Sequence, residues 1–518
     1  MTGKYLGLRG NALLRAAVWL VVCPTFTCYG YNMSVAGGLL TLESFNDQFP
    51  AMDTIHGDAA TKHNNSTIQG TVIALYTVGG IFGSLSCIYL GDLLGRRKVI
   101  FITNLITVIG AILMATSFQL AQFIVARLVL GLGIGGYLAT VPVWQSELSP
   151  SHKRGSNVVT DGIFVGIGVT TALWIDFGFY FIKGNSVSWR FPFAFQIVFC
   201  LVAMASITFL PESPRWLIKN GRIEEARVVL AALMDVEEYS ETITNDIYDI
   251  QTSLAKAGSG SWRDMFTMGE QRLFHRAYLA ATGQMFQQMC GVNLITYYAL
   301  NIFQQYLGLD PVRARILAAA MGLTQPLGGL MAFFTIDRLG RRPLMLWSAG
   351  AMAVCMAVLA GTTSQKGNTG ALVVAVVFLY LFQFIFTLGY SGLTFLYAAE
   401  MAPLQIRAAV NAVSTATVLL SIGFDTISYR YYIIFAATNA AIIPCVYFFF
   451  PETKGRTLEE IDEIFAQSKS IFDPPRVARS MLKVQVGQPQ SEKGGESGTR
   501  AREKNRHRWE RMALLLGK

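Results

Sequence analysis

Long apolar stretches separated by short polar segments run through almost the whole chain. Most are about twenty residues or longer, the length a helix needs to cross about 30 Å of hydrocarbon at about 1.5 Å per residue. A helix satisfies its own backbone hydrogen bonds inside a bilayer, so runs of this length predict transmembrane helices. The twelve predicted spans are 14–38, 68–91, 98–117, 121–146, 157–182, 191–211, 277–303, 314–336, 343–361, 371–399, 408–427 and 432–450.

The composition supports a membrane protein and argues against a large soluble enzyme with buried helices. Of the 518 residues, 52% are hydrophobic and only 14% are charged, and the mean hydropathy is +0.41. A soluble protein of this length needs more charged residues to cover its surface. The first apolar run is too long for a cleavable signal peptide and lacks a small-residue cleavage site. The chain is therefore predicted to be an all-α, multi-pass membrane protein.

The net charge of +9 follows the predicted topology rather than a nucleic-acid site. Lys and Arg are concentrated in segments that would be cytoplasmic if the amino terminus lies inside, among them Lys4, Arg9 and Arg15. Cytoplasmic loops of membrane proteins carry such an excess of Lys and Arg. Both termini are therefore predicted to be cytoplasmic, and no nucleic-acid partner is expected.

The loop 39–67 then faces outward and contains the sequence NNST. This sequence holds two overlapping acceptor sequons for N-glycosylation, at Asn64 and Asn65. All seven Cys lie inside apolar runs, where they pack as small hydrophobic residues, and none of the five His lies in a span. Disulfides in the outer loops, a metal site and a cofactor are therefore not expected.

Three charged segments occur twice, in the same order, at matching places in the two halves. DLLGRR follows the second span and DRLGRR the eighth; ELSPSHKR ends the fourth span and EMAPLQIR the tenth; PESPR follows the sixth and PETKGR the twelfth. A match of all three indicates a duplicated six-span unit, which is typical of carriers whose substrate site lies between the halves. The charged residues are Asp92, Arg96, Arg97, Glu147, Arg154 and Glu212 in the first copy and Asp337, Arg341, Arg342, Glu400, Arg407 and Glu452 in the second.

These charged clusters all fall on the predicted cytoplasmic face. We interpret them as ion-pair networks of a cytoplasmic gate, which close the inner side in one state and part in the other. The alternative is a static role, in which the charges hold the loops against lipid headgroups. The lipid bilayer is an expected partner in both interpretations.

The chain divides into five predicted segments. The central loop has short amphipathic helical patterns, and the tail turns polar and rich in Gly and Ser, so that disorder and contact with anionic lipid are expected there. The segments are a cytoplasmic N-terminus 1–13, an N-terminal six-helix half 14–211, a cytoplasmic helical loop 212–275, a C-terminal six-helix half 276–450 and a mostly disordered cytoplasmic tail 451–518.

The chain resembles the sugar porters of the major facilitator superfamily, in their fungal form, over nearly all of its predicted membrane region. The motifs that carry the resemblance are GDLLGRRK, RLVLGLGIGG with VPVWQSELSP, PESPRWL, QMFQQMCGVNLITYY, DRLGRRP and PETKGRTLEEID. The resemblance implies twelve transmembrane helices in two six-helix halves and transport of a monosaccharide or related polyol by alternating access. We expect a monomer in the plasma membrane, without enzymatic activity.

A stripe of amide side chains in the seventh span fits such a substrate. Gln284, Gln287 and Gln288 follow the helical i, i+3, i+4 spacing, and Gly291 continues the same face. Amides both donate and accept hydrogen bonds, as sugar hydroxyls do, and they are costly in lipid. The alternative is that these amides bind neighbouring helices to one another.

The resemblance extends to individual residues of the site. The family's sugar-contacting amides match Gln287, Gln288 and Asn293, and Gln325 occupies the place of a further amide. Two departures change the pocket: the usual prolines of the tenth span are replaced by Gly392 and Thr394, and the fifth span lacks its usual Gln. The remaining positions implied are the paired tyrosines Tyr297 and Tyr298, which help to close the site from outside, the aromatic Phe395, and Gly162, where relatives have a Gln.

Three residues of the first half leave the energy coupling open. Proton-driven relatives carry an Asp in the first span that faces an Arg in the fourth, and these positions hold Asn32 and Arg127 here. An amide cannot release a proton, which favours facilitated diffusion. Asp161, in the fifth span, is a carboxylate able to titrate in a water-filled cavity, which favours proton symport with protons as a second substrate. By position along their spans, Asp161 and Arg127 are not expected to pair directly.

A second class of function is a transporter-like sugar sensor, which signals rather than carries. Its signal would come from the cytoplasmic tail, and such sensors usually have much longer tails than this chain. We therefore expect a carrier, with the particular sugar or polyol left open.

Overall fold

The structure, a computed structural model, describes residues 5–481 except 55–57, 150–153, 258–261, 270, 307, 366–367, 403–409, 411, 414, 416–429 and 457. Helices dominate this part of the chain, and ten of the helices described are long and apolar enough to cross a membrane. The predicted all-α membrane class is confirmed.

The first half contains six long helices in the predicted order. The second of them is much longer than predicted, because the polar outer segment before it continues the helix and the Asp58 side chain caps its first turn by accepting from the Thr61 backbone N–H. The six helices are Gly10–Leu39, Ala59–Leu94, Arg96–Ala115, Leu120–Leu148, Arg154–Phe179 and Val187–Ile207.

The second half repeats this order, with one helix broken. The predicted continuous span 277–303 ends as a helix at Met289 and resumes at Val292. Gly291, between the two pieces, has a φ of +97°, and a Cβ there would lie 2.7 Å from the Met356 side chain. The glutamine stripe therefore does not continue through Gly291 as the sequence pattern suggested. The helices are Leu273–Met289 with Val292–Asn301, Pro311–Leu339, Arg341–Ser364, Thr369–Met401 and Arg430–Phe449; the predicted eleventh span, 408–427, lies mostly outside the described residues.

Short helices cover one face of the bundle, which we call the inner face following the predicted orientation. Pro214–Lys219, Ile223–Met234 and Glu241–Ala257 form a small cluster of their own between the halves of the sequence. The tail, predicted to be mostly disordered, contains two helices, Leu458–Gln467 and Pro474–Ser480. The first of these contains Asp462, whose Oδ1 lies 2.6 Å from Nη1 of Arg276, a buried residue of the seventh span. This ion pair holds the tail helix against the seventh span.

One glycine in each half connects two consecutive spans in a single-residue turn. Gly95 separates the second and third spans with a φ of +82°, and Gly340 separates the eighth and ninth with a φ of +101°. A Cβ at Gly95 would lie 2.7 Å from Glu212 Oε2, and one at Gly340 would lie 2.6 Å from Glu452 Oε2. Both positions need glycine for the same reasons of backbone angle and space, so the repeat extends from sequence to geometry.

The two sequons on the opposite, outer face differ in accessibility. Asn64 is exposed, whereas Asn65 is buried and its Nδ2 donates to Pro50 O at 3.0 Å and to Asp53 O at 2.8 Å. An acceptor asparagine must reach the enzyme that transfers the glycan, so Asn64 remains the predicted acceptor and Asn65 does not suit the role.

Two single substitutions separate the sequons. Ser66→Ala removes the Asn64 sequon and should abolish the glycan, while Thr67→Ala removes only the Asn65 sequon and should leave it in place. Gel mobility with and without glycosidase, after expression in a eukaryotic host, measures both. A glycan that survives in Ser66→Ala and disappears in Thr67→Ala would contradict the assignment.

Candidate functional site

Three amides of the seventh span form a buried hydrogen-bonded chain across the helix break. Asn293 Nδ2 donates to Gln288 Oε1 at 2.7 Å, Gln288 Nε2 donates to Gln287 Oε1 at 3.4 Å, and Gln287 Nε2 donates to Ser391 O at 2.9 Å. Gly291 makes this chain possible, because the break turns Asn293 back toward Gln288 instead of leaving it on another face of one straight helix.

The tenth span supplies the acceptor at the end of this chain. Ser391 ends a π-helical turn, Thr387–Ser391, in which the regular hydrogen bonding of the helix is widened. Relatives have prolines in this region, and here the π turn is the irregularity that presents a backbone carbonyl to Gln287. Just beyond it, Thr394 Oγ1 lies 3.3 Å from Gln284 Oε1.

A second chain of polar side chains runs through a residue that sequence reasoning missed. Gln325 Nε2 donates to Gln383 Oε1 at 3.0 Å, and Gln383 Nε2 donates to Thr296 Oγ1 at 2.9 Å. All three side chains are buried. The signal was present in the sequence, since Gln383 is an isolated amide in the apolar run VVFLYLFQFIF.

The two halves meet at the aromatic and glycine positions of the site. The Phe395 ring lies 5.7 Å from the Phe26 ring of the first span, in an edge-to-face arrangement. A Cβ at Gly162 would lie 2.6 Å from the backbone N of Gly392. The tenth span therefore packs directly on Gly162, which contributes close packing rather than a polar group.

Asp161, next to Gly162, is fully buried in the fifth span. The Gln145 side chain of the fourth span stands beside it, but neither carboxylate oxygen has a hydrogen-bond partner at normal geometry among the described residues. A charged carboxylate in such a place is stable only with a counter-charge, a donor or a bound proton. Asp161 in these surroundings is therefore stable when it carries a bound proton or accepts from Gln145.

Asn32 and Arg127 lie in the interior of the first half. Asn32 Nδ2 donates to Gln196 Oε1 at 2.6 Å and to Cys28 O at 3.0 Å, so the amide joins the first span to the sixth. The buried Arg127 guanidinium lies 5.7 Å from the ring centre of Tyr76 and 5.6 Å from that of Phe123.

The charged segments of the first half meet at the inner end of the third span. Arg96 is buried, with its Nε 3.2 Å from Glu147 Oε2 and its Nη1 3.6 Å from Asp92 Oδ1. The Glu212 carboxylate accepts from the backbone N–H groups of Arg96, at 3.0 Å, and Arg97, at 3.1 Å. A carboxylate at a helix N-terminus satisfies free N–H groups and the helix dipole. Burial nevertheless raises the pKa of Glu212 above its ordinary value, against the effect of these hydrogen bonds.

The second half repeats this arrangement at the ninth span. Arg341 Nη2 lies 3.0 Å from Glu400 Oε1, and its Nη1 lies 3.0 Å from Asp337 Oδ1. The Glu452 carboxylate accepts from the backbone N–H groups of Arg341 and Arg342, both at 3.0 Å.

One detail differs from the predicted gate. The side chains of Arg97 and Arg342 do not join the ion pairs described here but donate to backbone carbonyls, from Arg97 Nε to Ile207 O at 3.2 Å and from Arg342 Nη2 to Tyr447 O at 2.5 Å. Each of these glutamate contacts joins residues of one half, and the role of the networks as a gate stays a prediction. The side chains of Arg154, Tyr297 and Tyr298, and the whole of Arg407, lie outside the described residues, and their roles stay predictions.

Comparisons with known proteins agree with this architecture. The profile of the family described as Sugar (and other) transporter matches residues 18–465. The Sugar transporter STL1 of Saccharomyces cerevisiae is 34% identical over 499 residues, covering 93% of this chain and 87% of that protein. The Low-affinity glucose transporter HXT3 of the same organism is 29% identical over 464 residues, covering 85% and 80%.

Solved structures share the fold. The proton:xylose symporter XylE bound to 6-bromo-6-deoxy-D-glucose superposes with a TM-score of 0.76 at 22% identity, covering 88% of this chain and 100% of that one. The inward open conformation of XylE from E. coli gives a TM-score of 0.64 at 23% identity, covering 86% and 99%. The chain therefore belongs to the sugar transporter family of the major facilitator superfamily.

Proposed function

We propose that this protein carries a monosaccharide or a related polyol across the membrane by alternating access between its two halves. The observation that carries the proposal is the pair of buried polar chains, one through Gln287, Gln288 and Asn293 and the other through Gln325 and Gln383. The names of the relatives STL1, a sugar transporter, and HXT3, a glucose transporter, support the same substrate class.

The chemistry of these chains suits a polyhydroxylated ligand. Each amide already holds at least one partner, and a sugar hydroxyl can replace a partner as donor or acceptor without leaving the amide unsatisfied. Most of the polar groups belong to the second half, while Gly162 of the first half is covered by the tenth span. The substrate is therefore recognised mainly by the seventh, eighth and tenth spans.

The proposal also covers the oligomeric state, the membrane and the orientation of the protein. The carrier works as a monomer in the plasma membrane with both termini in the cytoplasm, and it catalyses no covalent reaction. Its partners are the sugar or polyol, the lipid bilayer and, in the second coupling mode below, protons.

Two modes of coupling each have one supporting observation. Facilitated diffusion is supported by Asn32, because an amide bonded to Gln196 cannot release a proton. Proton symport is supported by Asp161. This carboxylate is fully buried and has no hydrogen-bond partner at normal geometry in the described part of the chain. Such a group is suited to take up a proton when the site closes.

Uptake of labelled sugars and polyols in a carrier-null cell distinguishes the modes. In the facilitator mode, which Asn32 favours, the internal concentration should level off at the external one, and a protonophore should leave this plateau unchanged. Accumulation above the external level that a protonophore abolishes would contradict this mode and support proton symport.

Asp161→Asn is then the deciding variant, since it should remove accumulation while sparing exchange. Absence of uptake for every compound, with the protein present at the cell surface, would instead support the sensor alternative.

A further inference from the structure

On the outer face, the buried side chain of Arg315, a residue of the second half, contacts the first half. Arg315 lies in the first turns of the eighth span, Pro311–Leu339, and is only 4% exposed. Its Nη1 donates to Gly38 O at 3.2 Å, and its Nη2 donates to Thr41 Oγ1 at 2.5 Å. Both acceptors lie at the outer end of the first span, Gly10–Leu39. The last carbonyls of a helix carry partial negative charge, so this end attracts a cation.

The fifth span completes the surroundings of this guanidinium. The carbon atom of the Arg315 guanidinium lies 4.1 Å from the centre of the Tyr180 ring, a stacking distance for a cation on an aromatic face. Asp176, one turn earlier on the same span, is a buried carboxylate. Neither Asp176 oxygen has a hydrogen-bond partner within the described ranges.

Glycine lets the first and fifth spans come together at this point. A Cβ at Gly38 would lie 2.3 Å from Asp176 Oδ2, a distance that real side chains do not reach. The carboxylate therefore packs directly on the backbone of the first span. Arg315, Asp176, Gly38, Thr41 and Tyr180 form one cluster, which we call the outer latch; Thr41 and Tyr180 are its partly buried members.

The latch differs from the inner charge networks in one respect that matters for transport. The ion pairs of Arg96 and Arg341 described above join residues of the same half, so separation of the halves leaves them intact. The latch joins Arg315 of the second half to the first and fifth spans of the first half. Its hydrogen bonds exist only while the outer ends of the halves are together.

We propose that Arg315 and its partners hold the outer side of the carrier closed, and that outward opening releases Arg315 into water. The inference rests on the proposed transport function and adds a residue that sets the balance between its states. A buried charge is stable only with its partners, whereas a hydrated guanidinium needs none. The cluster is therefore stable in two arrangements, paired when closed and hydrated when open.

Cysteine accessibility tests the latch without requiring transport. Thr170→Cys places a reporter deeper in the fifth span, where the Thr170 Cα would lie 3.2 Å from a Cβ at Gly322 of the eighth span. A membrane-impermeant thiol reagent is added outside intact cells, and the modification rate is corrected for the parent without the reporter. Arg315→Met should raise this rate several-fold, on the order of fivefold, because the closed state loses its inter-half bonds.

Arg313→Met is the matched control, since Arg313 is an exposed arginine on the same helix. The Thr170→Cys reporter should be modified at the same rate in Arg313→Met as in the protein with an unchanged latch. Equal rates in Arg315→Met and Arg313→Met would overturn the proposal. A different result separates the latch from the transport function. If no variant takes up sugar but Arg315→Met still raises the modification rate above that of Arg313→Met, the transport function is contradicted and the latch is supported.

Two other variants apply if Arg315→Met does not reach the cell surface. Thr41→Val removes one acceptor but keeps the Gly38 carbonyl, and should give a smaller rise in the modification rate. Gly38→Ala, a larger change, inserts a methyl group against Asp176 and should raise the rate by displacing the Gly38 carbonyl from Arg315. No rise in either variant would contradict the proposal.

Discussion

Replacing Gln288 with alanine should reduce sugar uptake at least tenfold, with the amount of protein at the cell surface unchanged. Gln288 is the middle of the amide chain, accepting from Asn293 at 2.7 Å and donating to Gln287 at 3.4 Å. Its loss removes two hydrogen bonds of about 1 kcal/mol each, and about 1.4 kcal/mol corresponds to tenfold in an equilibrium constant. Initial uptake rates over a range of substrate concentrations give the measurement, and Asn293→Ala should follow the same pattern.

Gln119→Ala is the control for this prediction. Gln119 is an exposed amide at the start of the fourth span, and its side chain makes no capping hydrogen bond. Normal uptake is expected in this variant. Normal kinetics in both Gln288→Ala and Asn293→Ala would move the substrate site away from the seventh span and favour the alternative that these amides only bind helices together.

Replacing Glu400 with glutamine should destabilise the protein by about 3 kcal/mol, because it leaves the buried Arg341 charge without its main counter-charge. Arg341 is 4% exposed and lies 3.0 Å from Glu400, whereas its other partner, Asp337, has a side chain that is 43% exposed. The effect is measured by heating the purified protein in detergent and recording the loss of monodisperse protein as the temperature rises.

An exposed pair on the inner face provides the comparison. Glu225 binds Arg222 through two hydrogen bonds, at 2.8 and 2.7 Å, but both side chains are about half exposed. Water and salt screen such a pair, so Glu225→Gln should cost less than about 1 kcal/mol. Equal losses of stability in Glu400→Gln and Glu225→Gln would show that burial of Arg341 does not decide the energetics of the network.

The repeated charged segments have a common structural explanation. In each half, a glycine with positive φ forms the turn, a glutamate from the end of the sixth or twelfth span caps the following helix, and an arginine of that helix pairs with the end of the fourth or tenth. These contacts bind the spans of one half into a unit. The proposed outer latch instead joins the two halves to each other.

Much of this protein could be predicted from the sequence by itself. The lengths of the apolar runs determined the membrane class, and the recurrence of the charged segments determined the duplication, because both depend only on residues close together in the chain. The amides Gln287, Gln288 and Asn293 were visible for the same reason, since polar groups inside a bilayer span are rare. The family resemblance then supplied the expected twelve-helix fold.

Only the tertiary structure decided which of these groups meet. The break at Gly291, the π turn that presents the Ser391 carbonyl, and the contact of Gly162 with Gly392 depend on how the spans pack, and no local pattern specifies them. Arg315 and Asp176 are 139 positions apart (315 − 176) and read as ordinary charges near span ends. Burial between the first, fifth and eighth spans gives them their role, because a charge removed from water is stable only beside the partners that the fold brings to it.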